Sequence, residues 1–330
     1  MSDIPAQPAG PSTDSNATRP GQIRLVLPAT SANLGPAFDS AGLALGLTLT
    51  IHAELSQVVA YPPLIIEATG RNADRCARTT NNMIFETYRD VLRLAGKPAL
   101  PLYMRLHNEI PLGMGCGSSA AALLGGVMLA NHFGGLGWDL HACMEEACRR
   151  EGHPDNVAAC ALGYMTISAV TEGFVTAATC GQGLPWKLLL ALPSASLATE
   201  RARALLPTDY SRADTVANVQ RTALLVAAFA LGRGDLLRIA MQDRIHQPYR
   251  MEACPLLPPL LSLAGTAGVL GVALSGAGPG ILLIVSEDAD TAAIAALARQ
   301  SAADPTLEIL ETEIGPGAVQ SRPAYAHPPL

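Results

Sequence analysis

The stretch IPLGMGCGSSAAALLGG, residues 110–126, sets Gly113, Gly115 and Gly117 at alternate positions, then Ser118 and Ser119, then a run of small and apolar residues. Glycine accepts φ > 0 and leaves the backbone unshielded, so several N–H groups can converge where a helix begins. Free donors and the positive end of the helix dipole attract an anion there, and phosphate is the natural guest. The loop is not a Walker loop, because Gly117 runs straight into Ser118 with no lysine between. Nor can a G-x-S-x-G nucleophile elbow be drawn through either serine.

Without lysine, the charge on a phosphate has to be met by Mg²⁺, with a loop serine as one ligand and a carboxylate as another. The segment EACRREGHPDNVAACALGY supplies carboxylates: Glu151, His153 and Asp155 crowd one turn where Gly152 and Pro154 break a helix, and Asn156 follows. Asp155 is placed to cap the helix that restarts. A third polar group, in LPATSANLGPAFDSAGLAL, sets Ser31, Asn33 and Asp39 around Gly35 and Pro36, in a turn that can present side chains inward. A fourth, LSGAGPGILLI, is a glycine-rich link from Ser275 to Pro279 between two apolar runs.

The elements that must position these groups follow from periodicity. Strands are expected over Ile23–Leu27, Leu43–Ala53, Leu100–His107, Trp186–Ala191, Gly271–Leu274 and Gly280–Val285. Helices are expected over Asn82–Gly96, Ser119–Phe133, Asp139–Glu151, Ala213–Leu231, Asp235–Gln242 and Pro258–Ala267. The chain of 330 residues is long enough for two domains in close contact, with a boundary near residue 183. Residues 1–22 and 316–330, rich in proline and small residues, are expected to be tails.

A formal charge of -6 and no long basic run argue against nucleic acid or an anionic membrane as the partner. No window holds eighteen uninterrupted apolar residues, so no membrane span is expected, and the location expected is the cytoplasm. Only Lys97 and Lys187 stand against twenty arginines, so a bound anion has to be met by arginine, backbone N–H or metal. Seven scattered cysteines, with no C-x-x-C pair, read as buried thiols in a reducing compartment.

Together PATSANLGPAFD, PLGMGCGSSAA and LSGAGPG resemble the three signature motifs of the GHMP kinases, in order and over most of the chain. EGHPDNVA, TERARALLP and MQDRIHQPYR are similar to stretches of the homoserine kinases within that superfamily. The resemblance implies an α+β fold, with an N-terminal α/β domain carrying a mixed sheet (residues 23–183) and a ferredoxin-like C-terminal domain (184–315). It implies ATP-dependent phosphorylation of the L-homoserine hydroxyl, with Mg²⁺, on the route to threonine, by a homodimer.

Residue by residue, the resemblance places ATP on Pro111, Leu112, Gly113, Met114, Gly115, Cys116, Gly117, Ser118, Ser119, Ala120 and Ala121, with Asn82 near adenine. Glu151 and one of the two serines, Ser118 or Ser119, would hold the metal, and Glu151, Asp155 and Asn156 would form the catalytic set. Arg203 and Arg250 would grip the homoserine carboxylate, Asp39 would meet the ammonium, and Asn33 and His153 would complete the lining. The chain departs from the pattern at Ala37, at Cys116 and at Gly280, where a serine or threonine hydroxyl toward phosphate is expected.

Overall fold

The computed structural model describes residues 21–56 and 63–321. Most of the expected N-terminal tail, residues 1–20, and residues 322–330 of the C-terminal one lie outside the described residues. The chain opens with strands β1 (Gln22–Ala32), β2 (Ala41–Leu55) and β3 (Leu64–Gly70), then helices α1 (Ala73–Cys76) and α2 (Met83–Leu94) and strand β4 (Leu102–Asn108). Helices α3 (Ser118–Gly134), α4 (Leu140–Glu151) and α5 (Asp155–Leu162) follow, and then the hairpin β5 (Met165–Thr171) and β6 (Phe174–Cys180). The remainder runs β7 (Lys187–Leu192), α6 (Thr199–Ala204), α7 (Arg212–Leu231), a 3₁₀ turn, α8 (Leu237–Ala240), α9 (Gln247–Arg250) and α10 (Leu257–Leu261). It closes with β8 (Val269–Leu274), β9 (Ile281–Val285), α11 (Thr291–Ser301), β10 (Glu308–Glu313) and β11 (Val319–Ser321).

Two sheets result. The first has seven strands along the path β11-β1-β2-β4-β3, with β5 also paired to β2 and β6 to β5. It is mixed, since β3 and β4 run parallel while the other pairs are antiparallel. The second is antiparallel in the order β10-β7-β9-β8. Counted within their own half, those strands stand fourth-first-third-second in a βαββαβ run, the ferredoxin-like arrangement.

Residue patterning explains these choices. In α2, Ile84, Phe85, Tyr88, Val91 and Leu92 are buried at helical spacing, and the Asn82 side chain caps the first turn by accepting from the Phe85 N–H. In contrast α3 is apolar on all sides and lies in the core, where Gly125 and Gly126 leave no Cβ to strike Leu27 and Ile51 on one flank and Ile84 and Thr87 on the other. Strand β9, ILLIV, is buried along its whole length because both its faces are covered: Leu282 and Ile284 enter one hydrophobic cluster, and Ile281, Leu283 and Val285 enter the other. An unbroken apolar run rather than an alternating one is the mark of a strand buried on both faces.

Several expectations need correction. The helix expected over 235–242 is a 3₁₀ turn followed by the short α8, and the one expected over 258–267 shrinks to α10. Residues 316–321 are not a tail: β11 pairs with β1 and the Ala318 N–H donates to Cys160 O at 2.8 Å, so the chain leaves the second sheet to finish on the first. Among the described residues no helix is long and apolar enough to cross a membrane.

Candidate active site

The glycine loop between β4 and α3 has its expected conformation, with φ of 75°, 75° and 67° at Gly113, Gly115 and Gly117. A Cβ on Gly115 would run into the Ser275 carbonyl, and one on Gly117 into Thr30 Oγ1. Three loop carbonyls are held from outside: Gly280 N–H donates to Met114 O (3.2 Å), Ser275 Oγ to Gly115 O (2.8 Å) and Thr30 N–H to Cys116 O (3.1 Å). The first and third motifs thus brace the loop from behind. Helix α3 starts at Ser118 with no side-chain cap, so its first-turn N–H groups remain for a ligand.

The helix break supplies the acids as expected. Helix α4 ends at Glu151, Gly152 turns the chain with φ of 89°, and α5 begins at Asp155. The cap itself is corrected: Pro154 occupies the N-cap position and Asp155 lies inside the first turn, its Oδ1 accepting from its neighbour Asn156 N–H at 2.7 Å. Glu151 Oε2 accepts from Ser119 Oγ at 2.8 Å. Burial pushes the Glu151 carboxyl up, opposed in part by that hydroxyl and by His153. His153 Nδ1 donates to Asp155 Oδ1 at 2.6 Å. Burial pulls His153 down, but the bond to Asp155 and its charge win, so the imidazole is held above its ordinary value.

At the other end, Arg203 on α6 meets Asp39 with two parallel bonds, Nη1 to Oδ2 at 3.0 Å and Nη2 to Oδ1 at 2.6 Å. Burial works against the Arg203 charge, and Asp39 outweighs it, holding the guanidinium above its ordinary value. Arg250 is buried (1% exposed), its Nε donating to Ala202 O at 3.1 Å. Burial and the nearby Arg203 charge both push it down. The two guanidinium carbons lie 5.4 and 5.6 Å from the Phe38 ring centroid, so one aromatic ring spaces both arginines.

One cleft gathers most of the expected residues: Asn33, Asp39, Gly113, Gly115, Cys116, Gly117, Ser118, Ser119, Glu151, His153, Asp155, Asn156, Arg203 and Arg250 line it together. An adjoining cleft of about 370 Å³ shares Gly113, Ser118 and Ser119 and adds Leu112 and Asn82. Pro111, Ala120 and Ala121 are buried behind the loop, and Met114 lies outside both linings. Asn33 is a clamp as much as a lining residue, donating to Gly276 O at 2.9 Å and accepting from Asp39 N–H at 3.0 Å. Asn156 accepts from Thr30 Oγ1 at 2.7 Å.

Comparison with known proteins gives the family and the fold. The family GHMP kinases N terminal domain matches residues 82–164, and GHMP kinases C terminal matches 225–303. A homoserine kinase of Solibacter usitatus is 47% identical over 79% of this chain and 84% of its own length, and one of Synechocystis is 38% identical over 79% and 85%. The chain belongs to the homoserine kinase family. A crystal structure of homoserine kinase from Cytophaga hutchinsonii shares the fold, with a TM-score of 0.77 at 22% identity over 96% of this chain and all of that one.

Several residues of the candidate site escape a reading of the sequence. Phe38 and Thr199 join the first cleft, and Arg75 and Arg78 join the second, where they add positive charge beside the loop. The dipeptide before Asp39 and the basic run NADRCAR were the available signals. As for a metal, Ser119 Oγ and Glu151 Oε2 are hard oxygen donors side by side at the loop, a set that fits Mg²⁺. Asp39, His153 and Asp155 also come within 4.8 Å of one another, but the Arg203 pair and the His153–Asp155 bond account for that proximity.

Proposed function

We propose that the enzyme transfers the γ-phosphoryl group of ATP to the side-chain hydroxyl of L-homoserine, releasing ADP and O-phospho-L-homoserine. The observation that carries this reading is the Asp39–Arg203 pair, with Arg250 beside it, in the cleft that also contains the phosphate loop. A carboxylate, an ammonium and a hydroxyl are what an amino-alcohol acid brings, and each finds its counterpart here. The substrate zwitterion replaces the pair by exchange: its carboxylate takes over the Arg203 fork and its ammonium takes over Asp39, so neither charge is stranded.

The triphosphate lies on the N–H groups of the loop and of the α3 N-terminus. Glu151 and a loop serine would hold Mg²⁺, which would neutralise charge on the phosphates when bound. The remaining work is positioning. Arg203, Arg250 and Asp39 fix one end of the acceptor, which leaves its hydroxyl to face the loop. Asp155 Oδ1 already accepts from His153 and from Asn156 N–H, which suits a group that orients and charges the site rather than a strong base. Phosphorus NMR of the product formed from ATP and L-homoserine tests the reading: a phosphomonoester coupled to the side-chain methylene is expected, and inorganic phosphate alone would refute transfer to that hydroxyl.

A further inference from the structure

We infer that His246 is the positioning residue for Arg250, acting as the neutral tautomer protonated at Nε2, whose Nδ1 lone pair fixes the guanidinium that receives the substrate carboxylate. The inference rests on the reading that Arg250 meets that carboxylate. His246 is fully buried, and its Nε2 lies 2.7 Å from the carbonyl of Gly35. A carbonyl only accepts, so Nε2 carries hydrogen. Arg250 Nη1 lies 3.0 Å from Nδ1, and a guanidinium only donates, so Nδ1 carries none. Both partners thus fix the same tautomer, and it links the Gly35 turn, which leads to Asp39, to the arginine.

The charged groups around the ring agree with a neutral imidazole. Asp243 Oδ2 lies 3.6 Å from Nε2, but the Asp243 oxygens accept from Asn218 Nδ2 and from the N–H groups of Ile245, His246 and Gln247. Its charge is met without the ring. Burial pulls His246 down and Arg250 adds to the pull, while the Asp243 charge, the bond to Gly35 O and the Asp39 charge oppose it and lose. A second proton would sit on Nδ1 and point at the Nη1 hydrogens of Arg250, so ionisation and the grip on the carboxylate exclude one another. With Nε bonded to Ala202 O, the guanidinium is held at two points and cannot swing away from the cleft.

Two variants separate the halves of the link. His246→Asn keeps an acceptor where Nδ1 was and loses the bond to Gly35, whereas His246→Gln keeps a donor toward Gly35 and loses the acceptor. We expect His246→Gln to raise the KM for L-homoserine by about tenfold or more, with kcat and the KM for ATP changed far less, and His246→Asn to recover most of that loss. Equal loss in both variants would assign His246 to packing and overturn the inference. Arg250→Gln is the companion measurement: an unchanged homoserine KM there would remove Arg250 from substrate binding, while a raised KM there beside a normal one in His246→Gln would overturn the role of His246 alone. Should neither histidine variant fold, long-range proton–nitrogen NMR of the wild-type chain decides. A neutral Nε2–H tautomer at neutral pH is expected, and an Nδ1–H tautomer or an imidazolium at that pH would overturn the inference.

Discussion

Ser119 Oγ donates to Glu151 Oε2 across 2.8 Å and so ties the first turn of α3 to the last turn of α4. Among the described residues Ser118 makes no such bond, although both serines line the two clefts. In the proposed reading the pair marks the phosphate end of the site, and it separates two serines that the sequence leaves equivalent. Glu151→Gln should lower kcat by about a hundredfold or more, the usual loss when a charge aimed at the transferring group is removed, while circular dichroism shows the fold kept. Ser119→Ala should cost more than Ser118→Ala and should raise the Mg²⁺ concentration needed for half-maximal rate. Equal effects would remove the distinction.

Asp39 and Arg203 are each about one-third exposed, at 32% and 36%, so their pairing contributes little to stability, and the prediction concerns binding. Asp39→Asn should raise the KM for L-homoserine by roughly ten- to a hundredfold, the range for one charge-assisted bond, and leave the KM for ATP nearly unchanged. An acceptor lacking the ammonium should lose affinity for the wild type and lose much less for Asp39→Asn. Steady-state kinetics with both acceptors checks this.

Most of the site was legible in the sequence because its residues are held in short loops whose glycines, prolines and acids have few other uses. Gly113, Gly115 and Gly117 announce positive φ, and Gly152 and Pro154 announce the helix break that places Glu151 and Asp155. Pairing across the chain was not legible. Nothing near Asp39 in sequence points to Arg203, which lies 164 residues away, and nothing in MQDRIHQPYR says that His246 turns back to Gly35, 211 residues away. The same limit explains β11, whose three residues are too short to carry an alternating pattern and exist as a strand only because β1 offers an edge.

Gly280 illustrates how a departure from family pattern resolves once backbone is considered. Its N–H holds Met114 O, and a Cβ there would collide with that same carbonyl, so a side chain would press on the loop rather than reach phosphate. Gly280→Ser should therefore lower kcat and the melting temperature together, by several degrees in the latter for a loss of about 1–2 kcal/mol. A faster enzyme with unchanged melting temperature would show that a hydroxyl does reach the nucleotide.

Cys116, at the end of the loop just before the Gly117 N-cap of α3, is buried at 1% exposure, and burial pushes its thiol up to about 12. Raising the pKa favours the neutral thiol, so at pH 8 the thiolate is about one part in ten thousand, against roughly a tenth to a quarter for an ordinary cysteine. Alkylation of the native enzyme followed by peptide mass mapping should find Cys116 unmodified while the half-buried Cys76 and Cys180 react. Rapid labelling of Cys116 with loss of activity would contradict that burial.

Selection of an amino-alcohol acid for phosphorylation by the Asp39–Arg203–Arg250 end of the cleft is checked by ADP release from ATP and Mg²⁺ with single acceptors. With L-homoserine, shikimate, mevalonate and galactose offered in turn, turnover is expected with L-homoserine and background with the others. No rate above background with L-homoserine, or a faster one with another acceptor, would contradict it.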